Sequence, residues 1–352
     1  MSSRSVFIVQ GEGRGHLSQS MAMKEFLEET GHSVEAVFAG CSSHAPLPGY
    51  YRECFREKLH CMESPYLLRS PNRKGILVGR TILHHLLRWV TYLKEVQRIR
   101  QKIREIRPDA VFNFCDPVGA LVMRKLDPGI RRIGIGHHFF LHLDGYRCNG
   151  GSAVQRLLLK LFSGLIMQSC DRVLALSFRE GDGNKRIRVI PPLIRRKFRE
   201  IRYTPGERYL VYLLNEGYIY DLLLMAQADP DFRADVFAGF TPGTTLPPGL
   251  QMHPLDETKF REKMTTCRGL ITTSGFDTVA EAAYLGIPMI VVPVRNHFEQ
   301  RCNSLDTQRN GFGYAAMKLV PGIEKKMRPY DNSKYRQWVD TAGERILKMM
   351  DS

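Results

Sequence analysis

Apolar and polar positions follow one another along the chain in blocks of strand, turn and helix. Residues 6–9 form a short apolar run that ends in Gln10-Gly11-Glu12-Gly13-Arg14-Gly15-His16. Residues 20–29 read as a helix closed by Thr30-Gly31, and residues 33–39 as a second strand. Strand, Gly-rich turn, helix and strand in that order open a parallel α/β domain. Residues 82–107 keep helical character, with Ile82, Leu86, Val90, Leu93, Val96 and Ile99 roughly on one face, until Arg107-Pro108-Asp109 ends the run. Strands are expected at 110–114, leading into Cys115-Asp116-Pro117, and at 132–136, with His137-His138 at the exit. A helix at 154–168 and strands at 172–176 and 188–190 complete this half.

The polar, basic connection 195–206 ends in Pro205-Gly206 and is the best domain boundary. After it the pattern restarts: strand 209–213, turn Asn215-Glu216-Gly217, helix 218–228, strand 236–238, and a connecting segment with a helix over 255–266. Strand 269–273 leads through Ser274-Gly275 into helix 277–285, the apolar strand 288–293 follows, and 335–350 is a terminal helix. The expected fold is therefore α/β, with two Rossmann-like doubly wound domains facing a central cleft. The first spans residues 1–200 and the second 201–334, with 335–352 as a helix able to pack back on the first. Such sheets bind ligands beyond the carboxyl ends of their strands.

Composition narrows the class. With 352 residues, 43% hydrophobic and 25% charged, the chain can bury a sizeable core and is not disordered, collagen-like or coiled-coil. The net charge of +15 is uneven: residues 1–202 hold 34 Lys+Arg against 18 Asp+Glu, and residues 203–352 hold 17 against 18. The halves are thus expected to face different things. The eight cysteines form no C-x-x-C pair or Cys/His cluster, so free thiols in a reducing cytosol are expected rather than a zinc site or a disulfide framework. The N-terminal apolar run is too short for a signal peptide, and the longest uncharged apolar stretches fall short of the ~20 residues that span a bilayer. A cytoplasmic protein, soluble or peripheral at a membrane, is the expectation.

Three segments carry candidate chemistry. Gly11, Gly13 and Gly15 allow close backbone approach at the start of a helix, where free N–H groups favour an anion. The spacing is not the dinucleotide G-x-G-x-x-G, and no acidic residue ends the second strand, so a nicotinamide role is poorly supported. His16, at the strand-to-helix junction, suits a general base. Next, Thr273-Ser274-Gly275-Phe276-Asp277-Thr278 opens a helix after an apolar strand, presenting hydroxyls and unpaired N–H groups at a positive dipole end. Glu281 lies one turn beyond Thr278, where a carboxylate can accept both hydroxyls of a ribose. Finally, Glu299 and Gln300 fall in a polar loop after Pro293 and suit sugar hydroxyls. Taken singly, each segment also reads as ordinary structure: a turn, a capped helix with Glu281 exposed, a solvated loop.

Together these motifs resemble the two-domain GT-B glycosyltransferases. The likeness is greatest to the branch around the bacterial N-acetylglucosaminyltransferase of peptidoglycan lipid intermediates and the UDP-glycosyltransferases. It is strongest over residues 269–313, where Thr-Ser-Gly-Phe-Asp-Thr-Val-Ala-Glu-Ala-Ala-Tyr-Leu-Gly-Ile-Pro runs into Glu-Gln-Arg-Cys-Asn, and the Gly-Arg-Gly-His turn supports it. The resemblance implies that Ser274, Gly275 and Thr278 hold the donor diphosphate, Glu281 the ribose, and Glu299 with Gln300 the transferred sugar. It implies His16 as the base, Asp116 as the residue that orients it, and Asn215-Glu216-Gly217 as a second phosphate-facing loop. Thr273 stands where plant-type members have a phosphate-binding His, and Leu255 is a candidate for contacting the nucleobase.

The activity so implied is inverting, metal-independent transfer from a nucleoside-diphosphate sugar, a UDP-sugar being the expected donor, to a hydroxyl acceptor, with no cofactor. Between residues 69 and 107, 11 Lys+Arg face only Glu95 and Glu105, interleaved with Leu86, Leu87, Trp89 and Tyr92. This reads either as a solvated face on a core helix or as a surface for anionic lipid, which would suit a lipid-linked acceptor. Nucleic acid is not an expected partner, because no recognised nucleic-acid motif accompanies the charge. Two rival readings stay open: a nucleotide-sugar 2-epimerase on the same fold, and a non-catalytic nucleotide-sugar or polyanion-binding protein.

Overall fold

The apolar runs are strands buried on both faces, as parallel sheets covered by helices require. The computed structural model describes residues 2–350 except 13, 42–45, 73, 149, 214–215, 240–242 and 244. The N-terminal half is built from β1 (Arg4–Val9), α1 (Gly15–Glu29), β2 (Ser33–Gly40), α2 (Gly49–Phe55), β3 (Leu59–Met62), α3 (Val78–Leu87) and α4 (Trp89–Ile106). It continues with β4 (Ala110–Phe114), α5 (Pro117–Met123), β5 (Arg131–Gly136), α6 (Ala153–Gln168), β6 (Arg172–Leu176) and β7 (Ile187–Ile190). Its seven parallel strands are ordered β3-β2-β1-β4-β5-β6-β7.

After the short α7 (Arg196–Arg199), the second half holds β8 (Tyr209–Tyr212), α8 (Ile219–Ala228), β9 (Ala234–Phe237), β10 (Leu250–His253), α9 (Glu257–Met264) and β11 (Leu270–Thr273). It ends with α10 (Phe276–Leu285), β12 (Met289–Val292), α11 (Phe298–Arg309), β13 (Gly313–Ala315), α12 (Ser333–Asp340) and α13 (Ala342–Met350). Six parallel strands are ordered β10-β9-β8-β11-β12-β13. Strand order reverses between β1 and β4 in one sheet and between β8 and β11 in the other, and ligands of doubly wound folds sit at such reversals. The turn after β1 leads directly into His16 at the head of α1, and the turn after β11 carries Gly275.

Several elements differ from the sequence reading. Helix α1 begins at Gly15, not at residue 20, so His16 lies in its first turn. The stretch 82–107 is two helices broken at Arg88, whose guanidinium reaches Glu63 at 2.8 Å. The terminal helix is likewise two, α12 and α13. Their return to the first half is fixed by Trp338 Nε1, which donates to the Ser177 carbonyl at 2.8 Å. Glu299 and Gln300 are not in a loop but in the first turn of α11. That helix is polar along its length, so its core contacts come from Gln300, Asn303 and Thr307 as well as Phe298 and Cys302, and no apolar stripe announces it.

The cysteines also correct an expectation. Cys41 is bonded to Cys61, and Cys148 to Cys302, with Cα separations of 5.6 and 5.4 Å. Cys54, Cys115, Cys170 and Cys267 are free thiols. The partners stand 20 and 154 residues apart in sequence, and only the sheet order and the apposition of the halves bring them together. Among the described residues, no helix is long and apolar enough to cross a membrane.

Candidate active site

The two switch-point turns open into one cleft of about 200 Å³ between the halves. From the first half come Glu12, Arg14, Gly15, His16 and Gln19; from the second come Gly275, Asp277, Thr278, Glu281, Glu299 and Gln300. The sequence-derived base and most of the donor-facing residues are therefore neighbours in space although more than 250 residues separate them in the chain.

Glycines serve the close approach. A Cβ on Gly15 would collide with the Asp277 carboxylate, so the glycine leaves room for that side chain against the head of α1. A Cβ on Gly11 would strike the Gly40 carbonyl, which makes that glycine a packing requirement between β1 and β2 rather than part of the anion cradle. Gly13 and Asn215 lie outside the described residues, as does the side chain of Glu216. Gly217 is buried in the turn before α8 and does not line the cleft.

His16 lies half-buried in the cleft wall. Burial pushes its pKa down to about 4, assisted by the neighbouring His138 and opposed by Glu299 and by its hydrogen bond to Gln19. The imidazole is therefore neutral at pH 7 and can accept a proton. Its Nδ1 lies 3.2 Å from Gln19 Oε1, and Gln19 Nε2 donates to Asp277 Oδ2 at 3.1 Å. The expected partner, Asp116, is elsewhere. It is the N-cap of α5, with its carboxylate accepting from the Gly119 amide at 2.9 Å and from the Ser64 hydroxyl. Asp-Pro at the start of an apolar helix is a capping signal, and here capping is what Asp116 does.

The donor corner divides between residues that face the cleft and residues that hold it up. Gly275 caps α10, whose first-turn amides and positive dipole end point at the opening, and Thr278 lines it. Ser274 is fully buried and its hydroxyl donates to the Gln300 carbonyl at 2.8 Å, so the expectation that it grips a diphosphate through that hydroxyl is corrected. It ties α10 to α11 instead. Thr273 Oγ1 is buried with no hydrogen-bond partner among the described residues and does not line the cleft.

Glu281 is buried, not exposed, and burial raises its pKa to about 8, partly offset by the Arg195 guanidinium 3.9 Å away. Arg195 itself was read as linker; it is 3% exposed, bound to Glu257 at 2.5 Å and stacked 4.8 Å from the Phe198 ring. Leu255 lines the same end of the cleft beside Tyr212, Phe237 and Phe260, an apolar wall at the carboxyl ends of β8, β9 and β10. At the other end, Gln300 Oε1 accepts from the Val294 amide at 3.0 Å, so what this side chain can offer a ligand is its Nε2 donor.

His138, which the sequence placed at a strand exit without a role, lies with Nδ1 3.6 Å from Glu299 Oε1, and its ring centroid is 6.0 Å from that of His16. Burial disfavours charge on both members of the pair, but Cys115 and Glu299 raise His138, and His138 holds Glu299 below the usual carboxylate range. The base, an ionised carboxylate and a helix N-terminus thus converge on one space. That arrangement can deprotonate a hydroxyl, bind sugar hydroxyls and receive a leaving anion.

The comparisons agree with this geometry. The chain matches the profile described as Glycosyl transferase family 1 over residues 3–323. It is similar to an uncharacterized glycosyltransferase of Methanosarcina acetivorans, 25% identical over 340 residues that cover 88% of this chain and 82% of the relative. In fold it is similar to a UDP-glucosyltransferase from Polygonum tinctorium that glucosylates indoxyl, with a TM-score of 0.66, 14% identity and coverage of 99% and 98% of the two chains. It is also similar to MurG of Acinetobacter baumannii, with a TM-score of 0.58, 14% identity and 99% of each chain covered.

Proposed function

The chain belongs to glycosyl transferase family 1, and from that premise we propose that it moves a sugar from a nucleoside-diphosphate donor, a UDP-sugar, to a hydroxyl acceptor with inversion at the anomeric carbon. The observation that carries the reading is His16 facing the N-terminus of α10, Glu281 and Glu299 across one cleft. His16 takes the proton of the acceptor hydroxyl as its oxygen attacks the anomeric carbon. The bond from that carbon to the diphosphate breaks, and the electron pair leaves with the diphosphate. The α10 amides, the Thr278 hydroxyl and Arg14 line the place where negative charge grows, and preorganised donors of this kind lower such barriers without a metal. Glu281 takes the ribose, the wall around Leu255 the base, and Glu299 with Gln300 the sugar.

The acceptor is lipid-linked, and the enzyme works against an anionic membrane surface. The support is an apolar face that the core does not use. Tyr92, Val96, Ile99 and Ile103 bury one side of α4, but Leu86, Leu87, Trp89 and Val90 are exposed, Leu87 by 81%. Arg80, Arg88 and Lys94 flank them, the charge pattern that anionic lipid attracts. Vesicles containing phosphatidylglycerol should co-sediment the protein at low salt, and Leu86→Glu with Leu87→Glu should abolish this. No recovery with the anionic vesicles at low salt would remove the membrane from the proposal.

A thermal-shift panel of nucleotide sugars tests the donor. A true donor at 100 times its Kd adds about 2.7 kcal/mol to stability. Product analysis with the best binder should then give the inverted anomer; a retained anomer, or conversion of the nucleotide sugar with no acceptor present, would overturn the reading.

A further inference from the structure

The proton acceptor of His16 has an orientation problem that its own half of the molecule does not solve. An imidazole can abstract a proton through Nε2 only if its N–H is on Nδ1, and in water the Nε2–H form of histidine is the commoner one. Something must hold the proton on Nδ1. Asp116 does not, because its carboxylate is occupied by Ser64 and the Gly119 amide.

We propose that Gln19, beside His16 on α1, and Asp277, from across the cleft, are positioning residues that fix the tautomer of His16. Gln19 lies one turn beyond His16 on α1, with Oε1 3.2 Å from His16 Nδ1. An amide oxygen can only accept, so this contact requires the proton to be on Nδ1. Which end of the amide faces His16 is settled at its far end, where Gln19 Nε2 lies 3.1 Å from Asp277 Oδ2. A carboxylate there accepts and selects the NH2 end of Gln19; the oxygen is thereby turned toward His16. The fit is built in, since Gln19 is 2% exposed and Gly15 is the glycine that lets Asp277 come this close.

The chain of bonds is directional. Asp277 orients the amide, the amide holds the proton on Nδ1, and Nε2 is left with its lone pair for the acceptor hydroxyl. When Nε2 takes that proton, the charge on the ring is met by the amide oxygen, and no proton need move along the relay. Because Asp277 belongs to the second half and His16 to the first, the base is set correctly only when the halves are apposed. Asp277 must be ionised to select the amide end. Burial raises its pKa to about 7, Gln19 opposes the rise, Glu299 adds to it and Arg195 opposes it; Glu281 and Tyr335 are the other titratable groups coupled to it.

The inference rests on His16 as the base, and its test needs no substrate. Imidazole 15N spectra of the ligand-free full chain at pH 8.5, with the His16 signals assigned by their loss in His16→Asn, read the tautomer directly. The Nδ1–H form should dominate in the wild type. Gln19→Met should shift the ratio toward Nε2–H by about three- to tenfold, the worth of one net hydrogen bond. Asp277→Ala should give a mixture of the two tautomers. A wild type in the Nε2–H form, or Gln19→Met with an unchanged ratio in a variant that melts normally, overturns the relay. If the spectra come out as expected but His16→Ala still transfers sugar at the wild-type rate, it is the assignment of the base that fails and not the relay.

Discussion

At the scale of single residues, the cleft separates groups that act from groups that support. The proposed base is His16, so His16→Ala should lower turnover by about 10²–10⁴-fold while donor affinity, measured by calorimetry, stays within a few-fold. Loss of donor binding in that variant would mean the histidine was packing the cleft. Asp116 should behave oppositely. Asp116→Ala removes a buried N-cap and leaves the Gly119 amide unpaired, a loss of about 1–2 kcal/mol in urea unfolding, with turnover per folded molecule nearly unchanged. Glu281 adds a pH signature. Its pKa is about 8 in the folded protein and ~4.3 unfolded, so the folded state binds that proton more tightly. The stability it contributes is full below the unfolded value and is lost as pH rises through about 8. Glu281→Gln removes the titration, so the stability of the variant relative to wild type should improve between pH 5 and 9 by about 1 kcal/mol or more. A constant difference across that range would show that Glu281 is not held protonated.

At the scale of elements, the donor corner is two helix heads braced against each other. Ser274 joins them through its bond to Gln300, and Asn303 Nδ2 returns one to the Ser274 carbonyl at 3.0 Å. Ser274→Ala should therefore destabilise by about 0.5–1.5 kcal/mol and weaken donor binding through the misplacement of α11, although the hydroxyl does not line the cleft. A rise in the Michaelis constant for the donor without any loss of stability would instead put Ser274 on the phosphate. Phe276, which follows the cap glycine, stacks on His137 with ring centroids 4.2 Å apart and on Phe178 at 4.6 Å. The head of α10 is thereby fastened to the first half beside the cleft.

At the scale of the whole molecule, the halves are held together by covalent as well as packed contacts. Cys148 lies in the first half, and Cys302 is two residues beyond Gln300 on α11, so their bond tethers α11 to the opposite half. A cross-link closing a loop this long removes much of the freedom of the unfolded chain, typically about 2–4 kcal/mol. Cys148→Ser with Cys302→Ser should lower Tm by several degrees, and dithiothreitol should lower the wild-type Tm by more than that of the variant, which keeps only the Cys41–Cys61 bond. Identical melts with and without reductant would show that the bond adds nothing to stability.

The linear chain determined the architecture and the place of the chemistry. Apolar runs such as Ala110–Phe114 and Met289–Val292 cannot be solvated, so they become buried parallel strands. The turns that follow β1 and β11 must then carry whatever the cleft uses. His16, Gly275, Thr278 and Glu281 were legible as cleft-lining positions for that reason, and Glu299 and Gln300 by the same logic after β12. Tertiary structure alone decided which polar groups meet. Ser274 and Asp116 look available in sequence, yet each is buried on a partner 26 or 52 residues away. Arg195 looks like a solvated linker residue, yet it is buried against Glu257 and near Glu281. Gln19, Asp277 and the cysteine pairs acquire their roles only when the two sheets face each other. Local patterns report the partition of a residue between water and core, but hydrogen bonds and disulfides depend on which distant atom arrives within about 3 Å, and no local pattern encodes that distance.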